Sequence, residues 1–269
     1  MRKLLVLLVT LVAAVAASGT AGAQSGTGTV TVVHGVPGLP VDVYVNGEAT
    51  LPGFEPETVT DPLELPAGDY DIDIRPAGSP ADSEPAISGA ATLPAGANAS
   101  IVAHLGADGA PTLSVFVNDV STTAAGQGRL VVRHTAAAPA VDVLAGGAPL
   151  FQGLTNPNEA MADVPADTYS ASVAAAGTTE PVIGPADVPV AEGQATIVYA
   201  IGSLEDDTLG VAVQTIGGLH DAPGSVPSGS GGLADTSSTT PVWAFAMIAV
   251  GLAGLGVAAP RLVGARRQG

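Results

Sequence analysis

Two histidine–aspartate pairs are the residues of this chain whose types could do chemistry. His34 lies eight residues before Asp42, and His134 lies eight residues before Asp142. An imidazole near a carboxylate can serve acid–base catalysis or bind a metal. No nucleophile recurs beside the pairs, because glycine follows the first histidine and threonine follows the second. Each histidine also continues the apolar face of a strand, so we expect structural roles, with the imidazole at the core edge and hydrogen-bonded across the next turn.

A row of aspartates is the second candidate. Asp69, Asp71 and Asp73 alternate along one predicted strand and would stand roughly 6.6 Å apart on one face, which could attract calcium. The matching positions later in the chain carry hydroxyls, and calcium usually takes its oxygens from a tight loop. We therefore predict a solvated face, with no metal and no cofactor, and interpret the acidic residues 205–207 in the same way.

Composition excludes several classes of function. The chain has no cysteine, which excludes disulfides, thiol catalysis and thiolate zinc sites. Three of the eight basic residues lie within residues 24–240, against all 25 acidic residues. Because phosphate binding needs clustered lysine and arginine, we expect no nucleic acid partner.

The elements that must position these residues occur twice. Val-Val-His followed by Pro-Val-Asp-Val returns 100 residues later as Val-Arg-His followed by Ala-Val-Asp-Val. The matching segments are 32–43 with 132–143, 65–70 with 164–169, and 101–102 with 197–198. Copies of roughly 90 to 100 residues have the size of self-contained domains. We predict domains at residues 24–126 and 127–216, joined by a short polar segment.

Each copy has the pattern of an all-β domain. Short β-branched runs alternate with turn residues, and Tyr70, Ile72 and Ile74 alternate with the three aspartates, which places them on a core face. Asn46 and Gly47 predict a hairpin turn. These patterns favour two tandem β-sandwich (Ig-like) domains of about seven strands each over barrels, which have the same periodicity.

The opening motif of each copy resembles a known bacterial family. His34, the segment Pro-Val-Asp-Val-Tyr at 40–44, Asn46-Gly47 and the later Leu-Pro-Ala-Gly-Asp-Tyr are similar to the exported family called domain of unknown function 4397. The resemblance covers residues 28–118 and, more loosely, 128–215. It implies a β-sandwich on the cell surface and no established chemistry.

The N-terminal 23 residues have the pattern of a signal peptide. A basic start and the apolar residues 4–17 precede Ala21 and Ala23, the small residues that a signal peptidase reads. We predict cleavage after Ala23, so that the exported chain begins at Gln24.

The C-terminal 37 residues resemble a sortase sorting signal of high-GC Gram-positive bacteria. The pentapeptide Leu233-Ala234-Asp235-Thr236-Ser237 ends a flexible linker, residues 217–240, and precedes the apolar residues 241–259 and the basic tail 260–269. The apolar run is about 28 Å long as a helix, enough to cross a bilayer once. The positive-inside rule places the tail in the cytoplasm. Ser237 stands where the pentapeptide has glycine, which leaves two expectations open: covalent attachment to peptidoglycan through a sortase, or retention by the helix.

These observations favour a non-enzymatic cell-surface protein that displays two sandwich domains on a stalk for adhesion, binding or envelope organisation, with an unidentified glycan or protein ligand. The alternative is a surface hydrolase or carbohydrate-processing protein that uses pairs of aspartate or glutamate. Sandwich domains host both functions, so the site has to distinguish them.

The mode of anchoring gives the first prediction. A sortase would cut after Thr236 and join the exported part to peptidoglycan, so muramidase and not detergent should release a protein lacking residues 237–269. We expect this covalent product because the spacer, apolar run and basic tail follow in order. Detergent extraction of an intact chain, with the Arg267-Gln268-Gly269 end found by mass spectrometry, would instead show retention by the apolar segment.

Overall fold

The computed structural model describes residues 26–220, and the regular structure of these residues consists of β-strands. The expected all-β class is thereby confirmed. The expected signal peptide and C-terminal helix lie outside the described residues. Between residues 26 and 220 there is no helix with the length and apolarity needed to cross a bilayer.

Sixteen strands divide into two sets of eight along the chain. The first set is β1 (Thr27–His34), β2 (Val41–Val45), β3 (Glu48–Phe54), β4 (Leu63–Pro66), β5 (Gly68–Pro76), β6 (Ile87–Leu93), β7 (Asn98–Leu105) and β8 (Pro111–Val117). The second set is β9 (Gln127–His134), β10 (Val141–Ala145), β11 (Ala148–Leu154), β12 (Glu159–Pro165), β13 (Asp167–Ala175), β14 (Pro181–Val190), β15 (Ala195–Ile201) and β16 (Gly210–Ile216).

The two sets form sheets with the same strand order. In the first copy, β3-β2-β5-β6 forms an outer sheet and β4-β1-β7-β8 an inner sheet. In the second copy, β11-β10-β13-β14 is the outer sheet and β12-β9-β15-β16 the inner sheet. The first and seventh strands of each copy pair in parallel, and the other ladders are antiparallel. Every described strand therefore finds its partners within residues 26–220, which form a self-contained unit.

Local sequence explains the outer sheets. In β5, Ile72 and Ile74 are buried and Tyr70 is half-buried, whereas Asp69 and Asp71 are exposed, so the predicted alternation is correct. The hairpin between β2 and β3 turns at Asn46 and Gly47, which have φ angles of 51° and 81°. Positive φ at both central residues is the requirement of the turn that suits the twist of a hairpin.

Each sandwich has its own core between its outer and inner sheets. The first core gathers Val30, Val43, Ile72, Ile74 and Ile101, with other aliphatic residues around them. The second core gathers Leu130, Val143, Val164, Val173 and Val190. The cores are mainly aliphatic, as the scarcity of aromatic residues requires.

A third core joins the two copies. Val33, Val102 and Phe116 from the inner sheet of the first copy pack against residues of the second copy that include Ile197 and Tyr199. Three strands of the inner sheets, β7, β9 and β15, are consequently buried on both faces and contain no exposed residue. The sequence predicts only a short polar connection at this junction, whereas the structure has an extended apolar interface.

A buried arginine lies within this interface. The guanidinium of Arg133 donates to Glu159 Oε2 at 2.8 Å and to the Tyr199 hydroxyl at 2.8 Å. It also donates to Asn118 Oδ1 of the first copy at 2.7 Å and lies 4.4 Å from the ring centroid of Phe116. A charge removed from water needs such partners, so Arg133 fixes how the copies face each other.

The register of the repeat differs from the sequence alignment at its seventh strand. The amide of Gly35 donates to Ala103 and the amide of Thr135 donates to Ala200, which gives an offset of 97 residues. The sequence match of 101–102 with 197–198 has an offset of 96 residues and is wrong by one position. A slip of one residue exchanges the faces of a strand, and in the structure Val102 and its equivalent Tyr199 both lie in the shared core.

We expect Arg133→Ala to lower the free energy of unfolding of residues 24–220 by about 3 to 5 kcal/mol, since it strands Glu159 beside an apolar interface. Urea denaturation followed by circular dichroism measures the change. Arg75→Ala is the matched control, because Arg75 also lies over a ring, 4.7 Å from the Tyr44 centroid, but pairs with a more exposed carboxylate. Its loss should be about 1 kcal/mol. Equal losses for the two variants would show that Arg133 has no special role at the interface.

Candidate functional site

The candidate aspartates fasten loops in both copies. In the first copy, Asp42 accepts the amide of Gly53 at 2.7 Å on one carboxylate oxygen and that of Gly78 at 2.9 Å on the other. These two hydrogen bonds lower the pKa of Asp42, because they favour the charged carboxylate. Both glycines have positive φ, 61° and 77°, which turns their amides toward the carboxylate.

Asp142 repeats the same arrangement in the second copy. Its carboxylate accepts the amide of Gly153 at 2.7 Å and that of Gly177 at 2.8 Å. The residue is 5% exposed, so the two bonds replace most of its hydration. Both oxygens of each aspartate are therefore occupied by backbone amides, and the sequence motif marks a loop clamp.

The candidate histidines are buried and stand apart from these aspartates. The ring of His34 lies 5.7 Å from that of Phe54, and neither ring nitrogen has a hydrogen-bond partner. His134 Nε2 faces the carbonyl of Pro139 at 3.0 Å, across the turn after β9. Burial lowers the pKa of both histidines, while the nearby Leu39 carbonyl and Glu55 oppose this shift at His34. Neither pair places its imidazole and carboxylate in hydrogen-bond contact, so neither forms an acid–base dyad.

A third histidine, which the sequence reasoning missed, lies at the junction of the copies. His104 on β7 is buried, with Nδ1 2.9 Å from the Leu105 carbonyl and Nε2 2.8 Å from the Ser114 hydroxyl. Burial lowers its pKa, and His134 nearby lowers it further. Its structural equivalent is Ile201, so comparison of the repeats could not reveal it.

The aspartate row of β5 makes contacts along the sheet. Asp69 accepts the hydroxyl of Thr92 at 2.7 Å, and Asp73 accepts that of Ser88 at 2.6 Å and pairs with Arg75 at 3.3 Å. Asp71 remains exposed. Among residues 26–220, no group of three or more histidine or acidic side chains is arranged to hold a metal ion.

A concave feature lies inside the first sandwich. A cavity of about 270 Å³ separates the outer and inner sheets and is lined almost entirely by aliphatic side chains of the first core. Polar groups reach it through Asn46, Glu48, Thr50 and Thr92. None of the three arginines of residues 26–220 lines it. Its chemistry suits an apolar molecule and offers a single carboxylate.

Part of the cavity lining lies at the edges of the two sheets. Its lining includes Leu51 on β3 with Leu63 and Leu65 on β4, and these edge strands are not hydrogen-bonded to each other. All three leucines are partly exposed. At the opposite side the sheets approach closely, because a Cβ on Gly89 would lie 2.9 Å from Leu113 Cδ2. Partly exposed residues of the cavity lining therefore lie at the gap between β3 and β4.

The sequence candidates for processing and anchoring fall outside the described residues. They are the cleavage residues Ala21, Ala23 and Gln24 and the sorting motif Leu233, Ala234, Asp235, Thr236 and Ser237. The acidic residues 205–207 lie in the loop between β15 and β16.

The loop clamps lead to a stability prediction. We expect Asp142→Asn to lower the free energy of unfolding by about 2 kcal/mol. Asparagine keeps one acceptor oxygen, but its NH₂ group takes the place of the second oxygen and faces the N–H group of a glycine. Asp42→Asn should cost less, since Asp42 is more exposed. Urea denaturation of residues 24–220 measures both, and Asp71→Asn is the control on an exposed position.

The pH dependence of Asp42 has a defined sign. Its pKa is lowered in the folded state, so its contribution is complete above the ordinary aspartate value of about 4 and is lost as pH falls through the lowered pKa. The stability difference between the wild type and Asp42→Asn should therefore shrink between pH 5 and pH 3. A difference that stays constant over this range would contradict the clamp.

Comparisons with known proteins find a family that is similar to the first copy. A family model described as "Domain of unknown function (DUF4397)" matches residues 28–144, and a search of curated proteins finds no match. Among solved structures, "The Bacillus anthracis TIE protein" is similar at 13% identity and a TM-score of 0.20, over 66% of this chain and 34% of that one. This chain thus spans about a third of the length of that structure. Residues 28–144, which hold the whole first sandwich and the start of the second, are similar to a β-rich family without an assigned function, as the opening motif predicts.

Proposed function

We propose that this chain is an exported, non-enzymatic surface protein whose two sandwiches form one binding block for adhesion, ligand binding or envelope organisation. The observation that carries the proposal is the use of the recurring polar residues. Asp42 and Asp142 each hold two equivalent loops of their own copy through both carboxylate oxygens. The motif that both copies share therefore stabilises the fold.

The geometry gives less support to a hydrolase. Glycoside hydrolysis uses two carboxyl groups on either side of the scissile bond. The cavity of the first sandwich presents Glu48 as its one carboxylate, and the acidic row of β5 lies on the outer, solvent-facing side of its sheet. Binding without catalysis requires only a surface that is complementary to the ligand.

The proposed location is the outer face of the cell envelope. The N-terminal export pattern and the C-terminal order of pentapeptide, apolar run and basic tail support it. The proposed partners are the membrane or peptidoglycan at the anchored end and an envelope glycan or matrix protein at the exposed end. The excess of acidic residues argues against nucleic acid.

A paired assay tests the proposal. Residues 24–220 are screened for binding to envelope glycans and matrix proteins, and the same samples are incubated with chromogenic glycosides and esters. We expect saturable binding to at least one surface component without product formation. Turnover that disappears in Glu48→Gln but persists in the exposed control Glu84→Gln would contradict the non-enzymatic role.

A further inference from the structure

The cavity of the first sandwich is a feature that the shared motif does not explain. We infer that it is a binding site for a small, neutral, apolar molecule, such as an alkyl chain ending in an alcohol. The inference rests on the proposed function, because it names the ligand of a protein that binds and does not catalyse.

The volume sets the size of the ligand. Apolar cavities of about 150 Å³ take up benzene, so a cavity of about 270 Å³ accommodates on the order of ten carbon atoms. Its walls are the side chains of Val30, Ile72, Ile74, Ile101 and their neighbours, which offer dispersion contacts and no competing hydrogen bonds. Small-molecule sites have this character, with an apolar lining and few polar groups.

The edges of the sheets give the path of entry. Leu51, Leu63 and Leu65 stand at the gap between β3 and β4, partly exposed to water. A chain entering there would cover them and reach the buried valines behind. No backbone hydrogen bond between the strands has to break, since β3 and β4 belong to different sheets.

Charge selects a neutral ligand over a fatty-acid anion. Glu48 is the charged group at the lining, and Asn46 and Thr50 beside it are neutral. The arginines lie elsewhere. Arg75 pairs with Asp73, and the other two form ion pairs within the second copy and at its junction with the first. A carboxylate at the opening would meet Glu48 without a compensating cation, whereas a hydroxyl could donate to it.

The second copy supplies an internal comparison. Phe151 occupies the position of Leu51, because each pairs with the second valine of the preceding strand. Val188 likewise occupies the position of Ala91, opposite the equivalent tyrosine. These larger side chains pack against the second core, so the duplicated fold accepts them without rearrangement. They define substitutions that should fill the cavity of the first copy.

The test uses residues 24–220, which contain every strand partner of the fold, with 1-decanol and decanoate as probes at pH 7. Binding is measured by titration calorimetry and by the midpoint of thermal unfolding. We expect 1-decanol to bind and raise the midpoint, and decanoate to bind at least tenfold more weakly. The double variant Leu51→Phe/Ala91→Val should lose at least tenfold in affinity for 1-decanol while melting cooperatively. The single variant Leu51→Phe provides a milder filling if the double variant does not fold.

Val213→Phe is the matched control, because it adds an aromatic ring at a position of β16 that is 49% exposed and distant from the cavity. It should bind 1-decanol as the wild type does. Equal affinity of the wild type and the folded filled variants would overturn the site, and equal affinity for decanoate would overturn the preference for a neutral ligand. Absence of 1-decanol binding to the folded wild type would overturn the inference alone, since the glycan and matrix screen decides the proposed function separately.

Discussion

The packing of the two inner sheets against each other is the constraint on which the rest of the structure depends. Because β7, β9 and β15 are buried on both faces, their polar side chains must find partners inside the protein. Arg133 does so through Glu159, Tyr199 and Asn118, and Ser100 donates to Gln214 across the same interface at 2.8 Å. The two copies therefore share their stability, and the outer sheets, the loops and the edge strands of the inner sheets face solvent.

Sequence reasoning succeeds where one face of a strand is wet. The alternation in β5 and the Asn46-Gly47 turn are read correctly, because water on one side imposes a period of two. It fails at β7 and β15, where burial of both faces removes the alternation and leaves continuous apolar runs. Such runs do indicate a strand covered on both sides, and that signal could have revealed the interface. The one-residue error in register follows from the same loss of pattern.

Recurrence between the copies is a guide to folding, and the proposed binding site lies outside it. The aspartate clamps recur because both copies must close the same two loops. The cavity lining of the first copy includes Leu51 and Ala91, where the second copy has the larger Phe151 and Val188. A repeat comparison that looks for identical polar residues passes over a cavity lined by smaller apolar ones, because side-chain volume leaves no distinctive motif. His104 escaped for a similar reason, since its counterpart is an isoleucine.

The unequal halves of the shared core also limit how far the duplication can extend. In a pair of two second copies, Gln214 would stand in the position of Phe116 and Ile216 in that of Asn118, so Arg133 would lose the Phe116 ring and its amide partner. The two copies carry different residues at equivalent positions of this junction. The outward face of the first outer sheet carries Asp69 and Asp71, which a further layer would have to strip of water. The interface between the copies is thus specific to this unlike pair.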